Sequence, residues 1–476
     1  MIGVLSLDRG SAVPLFRQIC DRTRAAITAG TLRPGERLPS ARSLAGQLGA
    51  ARGTVEAAYA ILAGEGWIVG RGAAGTVVAP ALGGRWADKP PSALPALRRD
   101  GHAPGEAAAP PLFRMGLPAL DAFPRKQWAR LAAREARAPS AGRLHYPDPA
   151  GDPQLREAIA AYLAISRGIT CAAGQVFVTA GYQGGLSLIA RALLAPGDAA
   201  WVEDPGYYLA ARGLAAAGLR LVPVPVDGGG MRVEEAIAGA APARAAVVTP
   251  AHHCPLGMAL SLPRRLALLA WAEAGGRWII EDDYDGEFHY AGRPLPALKS
   301  LDAGDVVVYA GSFSKVLFPA LRLGYVVAPE RVADRFAAAA ALLNGGCGRL
   351  EQAVVARFME EGHFARHLKR MRSLYAGRRA ALAAALNESF GDRLGIELQS
   401  GGMHLLARPA GAASDAELVR LAEAAGLAPG ALSAHAIQAE CAPGLLLSFT
   451  NIPEAQAGAA AQTLLRTIGP HLAGAA

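Results

Sequence analysis

The chain has 476 residues, 52% of them hydrophobic and 18% charged, which allows about three folding units and excludes a disordered or fibrous protein. Its net charge is +8, and half of this excess lies in residues 1–80, which hold nine arginines, no lysine and five acidic residues. No apolar run approaches the roughly 20 residues of a membrane span, no secretion signal opens the chain, and the five cysteines form no CxxC pair. We therefore expect a cytoplasmic protein without a disulfide framework.

The basic N-terminal region predicts a small helical unit. Its helices are expected over 14–30, 41–49 and 54–67. The first has apolar residues on one side, at Leu15, Ile19 and Ile27, and the second follows Ser40, whose hydroxyl suits an N-cap. Two helices joined by a short turn, followed by two β runs around a Gly-rich tip, are typical of a winged helix-turn-helix. The expected core is Leu38, Leu44, Leu48, Val55 and Leu62.

The motifs LRPGERLPSAR, R.TV..AY..L..EGW and GRG..GT stand in this region. Over about 65 residues the pattern resembles the GntR-type winged helix-turn-helix. The resemblance implies that double-stranded DNA, an operator or promoter, is contacted by Arg42, Arg52, Thr54, Arg71 and Gly72. Arginine can hold a guanine edge or a phosphate with two hydrogen bonds, and a helix N-terminus with a hydroxyl suits phosphate oxygens. Gly53 stands where a polar residue is common, and a winged helix that binds protein is the alternative.

Residues 81–111 are rich in Pro, Gly and Ala and predict a linker. Residues 112–476 alternate Ala/Leu-rich helical stretches with short apolar runs. The clearest runs are 175–181, 199–205, 245–251, 277–283 and 305–311. Continuous apolar runs of this length are typical of strands that crossover helices bury on both faces. We therefore expect an α/β domain with a mostly parallel sheet, and a ligand site beyond the carboxyl ends of its strands.

Lys315 follows one of these runs in YAGSFSKVLFPALRLGY, where the β run is expected to end at Ala310. The chain has only five lysines, so a lysine at a strand end in apolar surroundings stands out. Desolvation lowers the pKa of an amine and helps it to form a Schiff base with an aldehyde. Ser312, Ser314 and Arg322 are close in sequence and suit a phosphate. An aldehyde together with a phosphate indicates pyridoxal 5′-phosphate (PLP).

Other strand ends supply groups that suit the same cofactor. In EDDYDGEF, Asp282 can keep a pyridine nitrogen protonated and Tyr284 can hydrogen-bond a ring oxygen. AGYQGG (180–185) opens a helix whose backbone N–H groups suit phosphate, and Tyr207 can stack on a ring. We expect no metal. The acidic run lacks EF-hand spacing, and neither His252–His253–Cys254 nor the pair His363 and His367 has the arrangement of a zinc site.

From about residue 112 to the C-terminus, these motifs follow one another as in fold-type I aminotransferases, which the chain resembles. The resemblance implies a Schiff base on Lys315, Asp282 at the pyridine nitrogen, Tyr284 at the ring oxygen and a stacked Tyr207. It implies a larger cofactor-binding set of Gly181, Tyr182, Gln183, Ser312, Ser314, Arg322 and His253. It also implies a homodimer with shared sites, in which Tyr146 reaches the phosphate of the partner subunit.

Two positions depart from the aminotransferase pattern. Cys254 stands where many of these enzymes have Asn. The strand that usually carries the arginine for the substrate carboxylate reads GLLLSFTN (444–451) and has none, although Arg408 could substitute. These departures weaken the case for ordinary transamination of α-amino acids.

A GntR-type reader joined by a linker to an aminotransferase-like domain resembles the MocR-type regulators. This resemblance implies a PLP-dependent transcription factor that binds DNA through residues 1–80, with residues 112–476 forming the PLP-binding, effector and dimerisation domain. An amine or amino-acid effector would displace Lys315 and favour another DNA-bound state. Two alternatives stay open: an active aminotransferase with an accessory DNA-binding domain, and a sensor of PLP itself.

Overall fold

The computed structural model describes residues 7–11, 13–72, 75–80, 110–137, 144–239, 242–291, 296–343, 347–411 and 413–472. The chain divides into two compact units, Met1–Ala103 and Pro104–Ala476. The predicted linker at 81–111 lies almost wholly outside the described residues, so the limits of the predicted domains stay predictions. Within the described ranges, no helix combines the length and the apolar character that crossing a membrane requires.

The first unit contains three helices and a two-stranded antiparallel sheet. They are α1 (Leu15–Thr28), α2 (Ala41–Leu48), α3 (Arg52–Gly64), β1 (Ile68–Gly70) and β2 (Thr76–Val78). The hydroxyl of Ser40 accepts a hydrogen bond from Ser43 N at 3.2 Å, which confirms the predicted N-cap. The core includes Ile19, Val55, Ala58, Leu62, Ile68 and Val78, each at most 1% exposed. Helix α3 begins two residues earlier than predicted and ends three earlier, before Gly66 at φ +81°.

The second unit contains eleven helices and twelve strands in its described part. Its helices are α4 (Arg125–Arg137), α5 (Pro153–Ser166), α6 (Gly181–Leu193), α7 (Tyr208–Ala216), α8 (Val233–Ala238), α9 (Leu262–Gly275), α10 (Ala333–Leu343), α11 (Arg349–Glu360), α12 (His363–Phe390), α13 (Asp415–Ala424) and α14 (Ala457–Ile468). Its strands are β3 (Val176–Thr179), β4 (Ala199–Asp204), β5 (Arg220–Asp227), β6 (Gly230–Met231), β7 (Ala245–Val248), β8 (Trp278–Asp283), β9 (Val307–Ser312), β10 (Gly324–Val327), β11 (Leu394–Glu397), β12 (His404–Pro409), β13 (Gly430–Ala431) and β14 (Leu445–Ser448).

Eight strands form the main sheet, in the order β3-β10-β9-β8-β7-β4-β5-β6. The neighbours from β9 through β8, β7 and β4 to β5 are all parallel, whereas β10 runs antiparallel between β9 and β3. The five apolar runs of the sequence are strands β3, β4, β7, β8 and β9, and all of them are buried except at Ser312. The mostly parallel α/β sheet is therefore confirmed, although β9 continues to Ser312 rather than ending at Ala310.

The last part of the chain forms a second, antiparallel sheet that the sequence analysis did not predict. Its strand order is β11-β12-β14-β13. Helices α12 and α14 pack against this region through a core that includes Leu382, Leu386, Leu405, Leu447 and Leu464. The leucine run at 444–451 thus forms the buried strand β14.

Candidate functional site

The parallel order of β4, β7, β8 and β9 brings their carboxyl ends to one edge of the main sheet. Asp282 on β8 lies in register with Ala310 on β9. Ala310 is three residues before the start of the turn that carries Lys315. The loop after β7 contributes residues 249–257 to the same edge. The structure therefore brings together the strand ends that the sequence analysis selected, as expected for a ligand site in a parallel sheet.

Lys315 is half-buried, and a backbone carbonyl oxygen fixes its amine. Its Nζ donates a hydrogen bond to the Gly116 carbonyl oxygen at 2.8 Å. Burial lowers the pKa of this amine, whereas the acidic groups of Cys254, Asp285 and Asp282 raise it. A lysine with a lowered pKa is chemically suited to react with an aldehyde. The acidic groups around it suit the binding of a second, cationic amine.

Gly116 was not identified from the sequence, although it contacts Lys315 directly. Its φ is +78°, and a Cβ at this position would collide with the Lys315 Nζ. Both the backbone conformation and the close approach therefore require glycine. The sequence offers only a glycine between two apolar residues in FRMGLP, which is too common a pattern to indicate a site.

Asp282 is 3% exposed at the end of β8. Burial raises the pKa of its carboxyl to about 8, and the neighbouring Tyr182 hydroxyl lowers it only in part. No described lysine, arginine or histidine forms an ion pair with it. A buried carboxylate without a cation is expensive, so the environment favours a ligand that brings a positive N–H group to this point.

An anion cradle lies at the start of α6. Gly181 begins this helix at φ +74°, and a Cβ there would lie 3.3 Å from the Arg322 guanidinium, which donates to the Ala180 carbonyl oxygen at 3.3 Å. The first N–H groups of a helix lack partners within the helix and attract anions. In the turn after β9, Ser314 N donates to Ser312 Oγ at 3.2 Å. Arginine, serines and helix N-terminus together suit a phosphate.

The side chain of Gln183 does not point into this cradle. Its Nε2 donates to the Leu209 carbonyl oxygen at 3.0 Å, so the amide fixes α6 to α7. Its backbone, in the first turn of α6, is the part that suits a phosphate. Tyr207 precedes α7, and its ring centroid lies 5.8 Å from that of Tyr182. A cavity lined by Tyr207, Thr249, Asp282 and others places this aromatic ring beside the carboxylate.

Behind the site lies a buried polar cluster, of which the sequence analysis had named only His253. Glu203 accepts hydrogen bonds from Thr249 N at 3.1 Å and Thr249 Oγ1 at 2.6 Å, and burial raises its pKa to about 8. His253 lies with its Nε2 3.7 Å from Glu203, and burial lowers the pKa of its ring to about 3. His253 is therefore a neutral, 1% exposed side chain that packs beneath the strand ends. No sequence signal could have paired residues 46 positions apart.

Tyr284 lies at the same edge, one residue beyond β8. Its hydroxyl lies 2.9 Å from His252 Nδ1, and the same nitrogen lies 3.2 Å from Asp285 Oδ2. Cys254 is also buried there, and its backbone N donates to Thr249 Oγ1 at 3.2 Å. His252 and Asp285 are two site residues to which the sequence analysis gave no role.

The remaining candidates lie in different surroundings. Tyr146 is 87% exposed in the single chain. Arg408 pairs with Glu397 at 2.9 Å and donates to the Ala442 carbonyl oxygen at 3.0 Å, so its guanidinium already has partners within the second sheet. On β14, Leu446 belongs to an apolar cluster that also contains Leu406, Leu432, Met115 and Leu256. Met115 in this cluster directly precedes Gly116, whose carbonyl oxygen accepts the hydrogen bond from Lys315 Nζ.

In the first unit the predicted DNA contacts lie near or on the surface. Arg42, Arg52, Arg71 and Gly72 are exposed, and Thr54 is half-buried in the first turn of α3. Arg71 N donates to the Gly75 carbonyl oxygen at 2.7 Å, which closes the turn between β1 and β2. Arg52 pairs with Glu56 at 2.8 Å, a contact that solvent screens and a phosphate can replace.

The cofactor that the resemblance implies fits these residues. Lys315 would bond its aldehyde carbon, Asp282 would meet the pyridine nitrogen, and the cradle of Gly181 and Arg322 would take its phosphate. The packing at Gly181 supports this fit. A Cβ there would lie within 3.6 Å of three guanidinium atoms of Arg322, so the absence of a side chain leaves the guanidinium and the start of α6 close together. The missing cation beside the buried Asp282 agrees with a protonated pyridine.

Comparison with known families gives two matches. Residues 119–437 match the model for aminotransferase class I and II, and residues 15–78 match that for bacterial regulatory proteins of the gntR family. The kynurenine aminotransferase of Pyrococcus horikoshii, solved in complex with PMP, resembles this chain with a TM-score of 0.69 and 26% identity. That likeness covers 78% of this chain and 93% of the enzyme.

Three transcriptional regulators match between 80% and 94% of the chain. The probable rhizopine catabolism regulatory protein MocR of Rhizobium meliloti is 38% identical over 470 residues, which is 94% of this chain and 92% of that protein. The pyridoxine biosynthesis transcriptional regulator PdxR of Corynebacterium glutamicum is 35% identical and covers 84% of each chain. The regulator TauR of Rhodobacter capsulatus is 36% identical, covering 80% of this chain and 82% of that protein.

Proposed function

Because this chain belongs to the MocR-type regulators, it is a PLP-dependent DNA-binding regulator, and we propose that it senses a primary amine at Lys315. In these regulators a GntR-family DNA-binding domain is joined to an aminotransferase class I and II domain. The amine or amino acid exchanges with Lys315 in the site and thereby changes how the protein binds DNA. PLP supplies an aldehyde carbon that forms a Schiff base with primary amines. The single observation that carries the proposal is the half-buried Lys315 amine, which is fixed by the Gly116 carbonyl oxygen and lies among the acidic groups of Cys254, Asp285 and Asp282.

The residues of the chain divide this work between them. Asp282, Tyr284 and Tyr207 orient the cofactor ring, whereas Arg322, Ser312, Ser314 and the start of α6 hold its phosphate. The Gly116 carbonyl oxygen accepts a hydrogen bond from Lys315 Nζ and so fixes the direction of the amine. Asp285 and Asp282 both raise the pKa of the Lys315 amine, and they would act in the same direction on an amine that takes its place.

The apolar strand β14 favours regulation over transamination. Leu446 and its neighbours present no positive charge to a substrate carboxylate, and Arg408 is engaged by Glu397. An aminotransferase gains rate from groups that bind its substrate in a fixed orientation. The active enzyme therefore remains the second candidate. A sensor of PLP itself is the third, since one relative is named as a regulator of pyridoxine biosynthesis.

We further propose that the protein acts as a homodimer. Tyr146 and Leu144 are 87% and 77% exposed in the single chain, and aromatic and aliphatic side chains of this size are usually covered in interfaces. Two copies would carry two winged helices to two half-sites on DNA. Size-exclusion chromatography with light scattering on the parent and Tyr146→Asp measures this directly. A monomeric parent would contradict it.

The test is an electrophoretic mobility-shift titration of the protein on the DNA upstream of its own gene, in the presence of excess random DNA. It is run without PLP, with PLP, and with PLP plus candidate amines. We expect a specific shift that responds to PLP plus an amine, and Lys315→Ala should bind DNA but lose the response to the amine. Arg52→Ala should weaken binding by about tenfold or more, whereas Arg17→Ala, an exposed arginine on α1, serves as the matched control.

Each alternative has its own outcome. A shift that responds fully to PLP and not to any amine would favour the sensor of PLP. Steady conversion of an amine donor with a keto acid, without a specific shift, would favour the aminotransferase. Binding that is equal in parent and Arg52→Ala would contradict the placement of the DNA contacts.

A further inference from the structure

Three polar side chains from two strand-end loops meet beside Lys315. The Tyr284 hydroxyl lies 2.9 Å from His252 Nδ1, and Asp285 Oδ2 lies 3.2 Å from the same nitrogen. His252 is 6% and Asp285 1% exposed. Asp285 is also one of the acidic groups that act on the pKa of Lys315. The cluster therefore belongs to the cofactor site, yet Tyr284 alone has an expected role there.

The position of the His252 ring is fixed by its neighbours. A Cβ at Gly402, whose φ is +91°, would overlap the imidazole, and a Cβ at Gly257 would lie 3.0 Å from its Nε2. The other ring close by is that of His404, at 6.0 Å between centroids. The His404 Nε2 is bonded to the Pro255 carbonyl oxygen at 2.8 Å. His252 Nδ1 therefore has the Tyr284 hydroxyl as its hydrogen-bond partner, and the Asp285 carboxylate lies nearby without accepting a hydrogen bond from any described residue.

A single ring nitrogen cannot donate and accept at the same time, so the proton on Nδ1 decides what Tyr284 does. When Nδ1 lacks a proton, it accepts a hydrogen bond from the Tyr284 hydroxyl, and the phenol cannot donate to a ligand. When Nδ1 carries the proton, it donates towards Asp285, and Tyr284 is free to donate elsewhere. Both oxygens of the buried Asp285 carboxylate lack a donor among the described residues, and a negative charge 3.2 Å from Nδ1 attracts a proton to it, so Asp285 favours the second state.

Resting on the PLP site proposed above, we propose that Asp285 and His252 are positioning residues that direct the Tyr284 proton to the phenolic oxygen of PLP. Asp285 holds the proton on His252 Nδ1, and this leaves the Tyr284 hydroxyl as a donor. The two residues thereby set how strongly the loaded site holds the proton on Lys315 Nζ. This gives a role to a buried histidine and a buried carboxylate that the expected cofactor contacts leave unused.

The sign of one substitution separates this role from plain electrostatics. A donor on the phenolic oxygen withdraws charge from the atom that faces Lys315 Nζ, so it lowers the pKa of that nitrogen. Asp285→Asn removes the bias, Tyr284 turns its proton to His252, and the pKa should rise by about one unit. If Asp285 acted only as a nearby negative charge, its removal would lower the same pKa.

The experiment follows the visible absorption band of the PLP-loaded full-length protein from about pH 5 to about pH 10. It uses the parent, Asp285→Asn, His252→Leu and the double variant. The midpoint should rise in Asp285→Asn and return towards the parent in the double variant, because the competing acceptor is gone. His252→Leu alone should leave it unchanged. A lower midpoint in Asp285→Asn, or no return in the double variant, would overturn the proposal.

Two controls keep the result interpretable. Tyr284→Phe removes the donor itself, so adding Asp285→Asn to it should produce no further rise. If Asp285→Asn does not fold, as judged by circular dichroism, His252→Leu decides alone, because a lower midpoint there means that His252 accepts the Tyr284 proton in the parent. A parent without a visible band that borohydride fixes would instead contradict the PLP site, and not this inference within it.

Discussion

Strand β8 has two faces, and their acidic residues are in opposite situations. On one face Asp283 pairs with Arg167 and accepts a hydrogen bond from Tyr309 at 2.7 Å. On the other face Asp282 is equally buried, but no described cation pairs with it, and burial raises the pKa of its carboxyl to about 8. Both are aspartates, adjacent in sequence, in one strand.

The difference shows that the partners of a buried aspartate, rather than its residue type, indicate whether its role is structural or functional. Glu281, on the face of Asp283, accepts hydrogen bonds from Leu298 N and Lys299 N at 2.7 Å each. That face is satisfied from within the chain. The face of Asp282 lies at the proposed cofactor site, where a ligand with a positive N–H group would offset the cost of burying its charge. The following variants test this division.

Lys315→Ala should give the largest effect on the functional face. The absorbance that borohydride fixes should disappear, because no other described lysine lies in the site. Lys299→Ala is the matched control. Its Nζ pairs with Asp302 at 3.1 Å and Asp305 at 3.3 Å, so its loss should destabilise the fold and leave the spectrum intact. An unchanged spectrum in Lys315→Ala would end the assignment of this lysine.

Asp283→Asn should give the largest effect on stability. Arg167 would keep a buried positive charge without its partner, which costs about 3–5 kcal/mol. Urea unfolding of the cofactor-free protein measures this loss. A cost below about 1 kcal/mol would mean that the structural face does not depend on this ion pair.

Asp282→Asn should instead stabilise the cofactor-free protein as pH rises. Because the folded-state pKa of about 8 lies above that of an exposed aspartate, the stability from the neutral form is complete near pH 4 and is lost towards pH 8. Asparagine stays neutral, so the variant should match the parent near pH 4 and exceed it by a few kcal/mol near pH 8. It should also bind PLP about tenfold more weakly or worse. Parallel stability profiles of the two proteins would contradict the raised pKa.

Tyr309→Phe should give the smallest effect. It removes one hydrogen bond to Asp283 and leaves the Arg167 pair in place, at a cost of about 1 kcal/mol. The visible spectrum of the loaded protein should not change. A changed spectrum would show that the two faces of β8 communicate.

Much of this arrangement was predictable because each parallel strand has its own signal in the local sequence. Apolar runs such as those of β7 and β8 are continuous, and the polar residues that follow them mark the ligand edge. The winged helix and the lysine turn were identified through family resemblance and residue chemistry together. The order of strands at this edge then places Asp282 near Lys315.

The rest depends on contacts between distant residues. Arg167 and Asp283 are far apart in sequence, as are Glu203 and Thr249, and no local pattern links either pair. Gly116 approaches Lys315 from 199 residues away. The second sheet was missed because its strands are short and their turns carry no strong signal. Which face of β8 is satisfied internally follows only from the folded structure.

Strand β10 has a consequence for the order in which the molecule assembles. It runs between β9 and β3, pairs Tyr325 with Val178, and so brings Arg322 over Gly181. Such pairings close long loops and form late relative to local structure. The phosphate cradle therefore exists only after this closure. PLP that binds there would stabilise the chains that have completed it by mass action. We therefore expect PLP to raise the stability of the folded chain as well as to serve as its cofactor.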